Sequence, residues 1–453
     1  MSTGSKSINM LNGSIWDKMI VFAIPLALTG VLQQLYNMAD VAVLGHFVSN
    51  EAMAAVGNNV PVNGLIISFC MGLALGSNVV VARCLGMNDT IRASKAVHTS
   101  IFIALVFGLV AMIAGLVLCD QIMSWMDVPE SVVHHASVYL RVYLLGMPFI
   151  ALYNFLAAIY RSSGDTKTPL WALCAGTVFN VLGNLFFVLV LDWSIGGVAL
   201  ATALANVLAS SILFFKLTRS DGPLHIELHR IFKPDGQSAR MIVRIGWPAG
   251  LQSSVFSLSN LIIQSAINSL GPEVMAASVA AFTIEINVYG FVNAFGLAAT
   301  TFISQNYGAG NVDRCKRITW ISMGLNIGFT LVLSTLILVF GHTLLGVFTQ
   351  SEDIIALGMI RLWWVVVPEP LNAVMEVFSD AMRGYGYSLA PAIITVIVIC
   401  SVRVIWVYTA FAMKPTYEVL MMVYPLSWLI TSIGLGILYF WFEKNRLPKL
   451  KVE

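Results

Sequence analysis

Within a long apolar stretch, the run Gln33-Gln34-Leu35-Tyr36-Asn37-Met38-Ala39-Asp40 gathers amides, a phenol and a carboxyl group. Gln33, Tyr36, Asn37 and Asp40 stand three and four residues apart, a spacing that places them on one helix face. An acid inside hydrocarbon costs at least ~2.5–3.5 kcal/mol on insertion scales, which makes Asp40 a functional candidate rather than a bystander. The chemistry open to it is exchange of a proton or capture of a small cation. The plainer use is an interhelical hydrogen bond that only holds the bundle together. Pro25, upstream in the same run, interrupts the backbone ladder and permits a bend.

Other polar groups recur in apolar surroundings. Asn180 and Asn184 lie four apart on one face, suited either to interhelical bonding or to substrate contact. Glu285, with Asn287 and Tyr289 nearby, is a candidate second proton or cation site. Pro368-Glu369-Pro370 is incompatible with regular helix and marks an irregular segment lining a cavity. Asp380 and Arg383 are three apart and read as an ion pair, while Arg403 must find a partner and one of these acids can serve it. Arg141 and Arg361 are expected to snorkel to the outer interface. Gln34, Tyr36, Asn37, Asn154, Asn180, Asn184, Thr202, Asn287 and Tyr289 together make the candidate substrate-contacting set. Pro25, Pro248, Pro368 and Pro370 are the candidate hinges. Twenty methionines and many aromatic residues offer either an adaptable wall for apolar or cationic guests or ordinary membrane packing.

Several chemistries find no residues to carry them. There is no G-x-x-x-x-G-K-[ST] phosphate loop, so nucleotide-driven work by this chain is not expected. The six cysteines lie far apart without metal-ligand spacing and read as packing residues, and the seven histidines form no ligand motif. The expectation is a non-enzyme with no cofactor or structural metal, using only H+ or Na+ as a coupling ion, and no nucleic-acid partner.

The elements that position these groups follow from composition. Of 453 residues, 58% are hydrophobic and 11% charged, against roughly 25% charged in a soluble domain. A soluble fold so poor in charge would expose large apolar patches, whereas lipid suits that surface. A span needs about 20 apolar residues. Twelve are expected, near 18–46, 53–82, 96–118, 133–159, 167–190, 197–217, 241–269, 276–305, 317–340, 355–382, 389–411 and 419–441. Backbone groups in lipid must bond within their own segment, so these runs predict helices. Connections after even-numbered spans carry Arg83, Arg92, Lys95, Arg161, Lys167, Lys216, Arg230, Arg314, Lys316 and Arg383, and the tail adds Lys444, Arg446, Lys449 and Lys451. Those after odd-numbered spans hold Glu51, Asp120, Asp127, Glu130, Asp192, Glu273, Glu352 and Asp353, with Lys414 as their base. That asymmetry predicts cytoplasmic termini. The first fifteen residues are too polar for a cleaved signal.

The halves repeat. At an offset of 222, Glu51, Pro148, Arg161, Gly164 and Pro169 fall on Glu273, Pro370, Arg383, Gly386 and Pro391, and Pro25 meets Pro248 at 223. Six spans per half put both halves into the membrane in the same sense, with a cavity where they meet. The expected fold class is an all-α integral membrane protein of twelve helices in two pseudo-symmetric six-helix bundles. The expected division is an N-terminal lobe at 1–217, a linker at 218–240, a C-terminal lobe at 241–442 and a tail at 443–453.

The Gln33-to-Gly45 stretch, the duplicated halves and the repeated proline–arginine–glycine spacing resemble the multidrug and toxic compound extrusion (MATE) family. The first-span motif is similar to its DinF-like bacterial branch, and the general pattern to MepA-type drug exporters. The resemblance implies a V-shaped two-lobe transporter in the bacterial inner membrane. It also implies efflux of amphipathic, often cationic drugs in exchange for H+ or Na+, with Asp40 in the coupling. Where DinF-like members can carry a second acid on span five, this chain has Asn180 and Asn184. The glutamate that NorM-like members place on span seven is missing between Met241 and Leu270. Alternatives are a lipid-linked precursor flippase of the same superfamily and a passive channel. Small-molecule drugs and membrane lipids are the expected partners of a monomer.

Overall fold

A computed structural model gives the fold and describes residues 7–126 and 128–449. Asp127, Lys451 and the first six residues, which entered the charge and signal expectations, lie outside the described residues. The first half runs α1 (Trp16–Phe47), α2 (Asn50–Gly86), α3 (Thr90–Trp125), α4 (Glu130–Leu145), α5 (Met147–Ser162), α6 (Lys167–Leu185) and α7 (Ser194–Thr218). A short α8 (Leu228–Ile231) follows, and α9 (Gly236–Asn268) opens the second half. That half continues with α10 (Pro272–Gly308), α11 (Val312–Gly346), α12 (Glu352–Val366), α13 (Glu369–Gly384), α14 (Leu389–Trp406), α15 (Tyr417–Met421) and α16 (Val423–Asn445). The fourth and tenth positions of the repeat are broken alike. Gly146 separates α4 from α5, bent by 49°, and Val367 with Pro368 separate α12 from α13. A π-helical turn also ends α6 and α14 alike, at Phe186–Val190 and Val407–Phe411.

Among the described residues ten helical spans, with α12 and α13 counted as one and α15 and α16 as one, are long and apolar enough to cross a membrane, and the bent pair α4–α5 makes eleven. Helix α9 occupies the seventh expected position with 33 residues but falls below that hydropathy. Gln252, Ser253, Ser254, Ser257, Ser259, Asn260 and Gln264 dilute it. At 1.5 Å per residue, the 37 residues of α10 reach about 55 Å, well beyond a hydrocarbon core of about 30 Å.

The chain forms two compact units. Of the described residues, one unit holds those of Leu28–Gly250, and the other holds Asn9–Ala27 with those from Leu251 to Lys449. Helices α1 and α9 are therefore each divided, and Pro25 and Pro248 stand two residues before the points of division. In the first unit, glycines let α2 and α9 touch backbone to backbone. A methyl group on Gly72 would lie 2.2 Å from Gly250 N, and one on Gly76 2.2 Å from Ile242 O. Small residues spaced by four give helices in lipid this close approach. In the second unit the arm before α1 is fixed by its carbonyls. Asn306 Nδ2 donates to Met10 O at 3.1 Å, and Arg314 Nη2 to Gly13 O at 2.9 Å.

Candidate functional site

Each unit buries polar side chains among its apolar helices. In the first, Asp40 is 3% exposed and draws on three helices. Asn184 Nδ2, from α6, donates to Asp40 Oδ1 at 2.6 Å, and Thr202 Oγ1, from α7, donates to Oδ2 at 2.9 Å. Asn180 Nδ2 donates to Thr202 Oγ1 at 3.3 Å, and its Oδ1 accepts from Asn184 Nδ2 at 3.3 Å. Tyr36, one turn before Asp40, donates to Thr202 O at 2.9 Å. The spacing of Tyr36 with Asp40, and of Asn180 with Asn184, thus brings four expected residues to one point, with Thr202 at its centre. Among the described residues, no Lys, Arg or His lies within salt-bridge distance of Asp40.

This cluster can satisfy Asp40 in either charge state. The single Thr202 hydroxyl proton has two acceptors in reach, Asp40 Oδ2 and Val198 O at 3.0 Å. With Asp40 ionised, that proton faces the carboxylate. With Asp40 protonated, the hydroxyl can turn to Val198 O and accept from the acid instead. Asn184 Oδ1 is buried and meets no donor among the described residues, so rotation of that amide would offer a second acceptor to a protonated Asp40.

The remaining expected residues divide. Gln34 and Asn37 are exposed and outside the Asp40 network. Asn154 and Asn287 turn back on their own helices, donating to Ile150 O and Thr283 O at 2.8 and 2.9 Å, and Tyr289 is half-buried.

The second unit corrects two expectations. Arg361 does not snorkel: it is 4% exposed and grips Glu285, Nε to Oε2 at 3.0 Å and Nη2 to Oε1 at 2.6 Å. Two opposite charges buried on facing helices neutralise each other, whereas either one buried alone would be left uncompensated. Glu285 is accordingly half of an ion pair. Among the described residues no acid serves Arg403. Its Nη1 donates to Asn260 Oδ1 at 2.6 Å and Ser259 Oγ at 3.4 Å, and its guanidinium lies 4.9 Å from the ring centres of Phe256 and Tyr424. Arg361 in turn faces Phe282 at 5.5 Å and Tyr424 at 5.8 Å. Sequence reasoning looked for carboxylates and passed over aromatic faces, which also receive a guanidinium.

Elsewhere the second unit follows the sequence. Asp380 accepts from Arg383 Nη1 at 2.6 Å, and Arg383 Nη2 reaches Gln252 Oε1 at 2.7 Å. Glu369, buried at the helix break, accepts from Asn372 at 2.8 Å. In the first unit, Arg141 stays at the surface against Asp120 at 2.7 Å. Among the described residues no group of three or more His, Cys, Asp or Glu is placed to hold a metal ion.

The model of the family described as MatE matches residues 25–186 and 248–409, two equal blocks that begin at the two helix prolines. The probable multidrug resistance protein YoeA of Bacillus subtilis is 29% identical over 403 residues, covering 86% of each chain. The probable multidrug resistance protein NorM of Thermotoga maritima is 26% identical over 400 residues, covering 86% of this chain and 84% of its own. Among solved structures, the outward-facing conformation of a multidrug resistance MATE family transporter covers 99% of both chains with a TM-score of 0.88 at 25% identity. The crystal structure of MATE in complex with MaD3S shares the fold, with a TM-score of 0.89 over 98% of this chain and 100% of that one at 24% identity. An all-helical chain whose two halves repeat, and whose halves each match one block of the same model, belongs to the MatE family of multi-pass membrane transporters.

Proposed function

We propose that this transporter is a secondary active multidrug exporter of the bacterial cytoplasmic membrane. It moves amphipathic, often cationic compounds outward in exchange for H+ or Na+ by alternating access, working as a monomer with both termini in the cytoplasm. Asp40 carries the coupling charge. The observation that supports this reading is the Asp40 cluster: an acid among apolar helices, without a basic partner among the described residues, whose neighbours can serve it ionised or protonated. A proton on Asp40 needs only one acceptor, which the turned Thr202 hydroxyl supplies, so H+ is taken as the coupling ion. The names of the bacterial relatives agree with drug export.

Coupling requires only that drug and proton favour different arrangements of the chain. Each charge moving down the membrane potential contributes ~2.3 kcal/mol per 100 mV, enough to concentrate a drug several tens of times. The test is ethidium transport by the purified chain in proteoliposomes under a proton gradient or a sodium gradient imposed separately. Uphill transport driven by the proton gradient is expected. Flux that is indifferent to both gradients would defeat the proposal in favour of a passive channel.

A further inference from the structure

In the second unit the buried guanidinium of Arg403 is left over once the pairings are assigned. Glu285 is held by Arg361 through both oxygens, and Asp380 by Arg383. No carboxylate of the described residues lies within salt-bridge distance of Arg403, although the residue is fully buried. Its Nη1 is used by Asn260 and Ser259, while its Nε and Nη2 meet no acceptor among the described residues. Nε and Nη2 form the same edge with which Arg361 grips Glu285. That edge presents two parallel N–H groups matched to the two oxygens of a carboxylate.

The repeat locates this group. The Asp40 cluster draws on α1, α6 and α7, and Arg403 on α9, α14 and α16, the corresponding helices of the second half. Asn260 follows Asn37 by the 223 residues that separate Pro25 from Pro248. Tyr424 follows Thr202 by the 222 that separate Pro169 from Pro391, and Arg403 stands one residue past the 222-residue counterpart of Asn180. Equivalent places in the two halves thus carry opposite charges. One is a carboxylate met by donors without a base, the other a guanidinium met by aromatic faces without an acid. Phe256 and Asn260, which cover Arg403 on the α9 side, are only half-buried.

We infer that Arg403 is a recognition site for the carboxylate of an amphipathic organic acid or zwitterion, which the chain carries as substrate. The carboxylate is received by Nε and Nη2, and Phe256 and Tyr424 steady the guanidinium with their rings, each centre 4.9 Å away. This names a substrate class for the exporter proposed above and rests on that reading for transport, though not for binding.

A matched pair of dyes tests it. Rhodamine 110 carries a free carboxylate, and rhodamine 123 is its methyl ester. Binding to the purified full chain in detergent, read by fluorescence polarisation with no ion gradient, should be at least about tenfold tighter for the free acid. Arg403→Gln should bring the ratio of the two affinities close to one. Arg403→Lys keeps the charge but not the two-pronged edge and should leave an intermediate ratio. Equal affinities in the native protein, or a ratio that Arg403→Gln leaves intact, would overturn the inference. If Arg403→Gln does not fold, benzoate competition on the native protein decides. Displacement of the acid but not the ester is expected, and equal or absent displacement overturns the site. Loss of gradient-driven transport with the ratio preserved would defeat the exporter reading and leave this site standing.

Discussion

Arg361 meets Glu285 edge to edge, with two hydrogen bonds of 3.0 and 2.6 Å between side chains that are 5% and 10% exposed. The pair ties α12 to α10. Removing one partner of a buried pair strands the other charge, a loss of roughly 3–5 kcal/mol, whereas replacing both by apolar or neutral groups of similar size is often close to neutral. Glu285→Ala should therefore lower the thermal midpoint sharply, and the double variant Glu285→Gln with Arg361→Met should recover most of it. A thermal-shift series in detergent measures both. A single variant as stable as the native chain would show that the pair contributes nothing to the fold.

The Asp40 cluster makes a separate prediction about coupling. Asparagine has the shape of aspartate and can still meet Thr202 and Asn184, so Asp40→Asn should fold and insert. It has no titratable proton, so efflux driven by a proton gradient should fall to the leak rate. Thr202→Ser keeps the hydroxyl and should stay active. Thr202→Val leaves a buried carboxyl oxygen without its donor, a change worth ~1–3 kcal/mol, and should slow coupled ethidium efflux by about tenfold. Full efflux by Asp40→Asn in proteoliposomes would remove Asp40 from the mechanism.

Much of this arrangement was readable before any coordinates. The 3–4 spacing puts Tyr36 with Asp40 and Asn180 with Asn184 on their own helix faces, because helix periodicity is local; that the two faces meet is a contact between segments 144 residues apart. Pro368 and Gly146 fall at equivalent breaks, as the proline pattern implied at the first of them. What stayed hidden depends on contacts between distant segments. Nothing within α12 says that Arg361 turns toward Glu285 rather than toward an interface, because a basic residue ten positions into a span can do either. Arg403 was invisible for a different reason. Its partners Phe256 and Tyr424 are chemically ordinary membrane residues until a guanidinium lies against their rings. Helix α9 shows the limit of hydropathy: its serines and amides weaken the signal, and what holds it in the first unit is glycine packing.

That packing predicts an asymmetry among glycines of one helix. Gly72 has no room for a side chain, since an added methyl would meet the α9 backbone at 2.2 Å, and backbone cannot step aside. Gly72→Ala should destabilise the first unit by ~1–3 kcal/mol, the usual cost of overpacking. At Gly57, also in α2, nothing lies within 4 Å of the added carbon. Gly57→Ala should be neutral or stabilising by up to about 1 kcal/mol through helix propensity. Thermal midpoints of the two variants check the contrast, and equal effects would deny the backbone contact.

The segment before α9 gives a prediction that depends on pH. Asp235 caps α9, its Oδ2 accepting from Ser238 N at 2.9 Å and Ser238 Oγ at 2.8 Å, with Lys95 Nζ 3.6 Å from its Oδ1. The Ser238 backbone N–H, above all, holds this carboxyl below its ordinary range, assisted by the Ser238 hydroxyl and Lys95. The segment is pinned to α3 as well, through Asp235 N to Thr99 Oγ1 and Glu227 N to His98 Nε2, both at 2.9 Å. Loss of an N-cap side chain costs ~1 kcal/mol. Asp235→Ala should therefore speed tryptic cleavage after Arg230 about fivefold at pH 8, if cleavage follows local opening. Because the folded-state value is lowered, the capping contribution is fully present above the ordinary aspartate value of ~3.9 and disappears as pH falls through the lowered one. The thermal midpoints of the native chain and Asp235→Asn should then differ by a constant amount above about pH 5 and converge below pH 4. A difference that grew as the medium was acidified would carry the opposite sign and show that Asp235 is not held as a carboxylate by the α9 terminus.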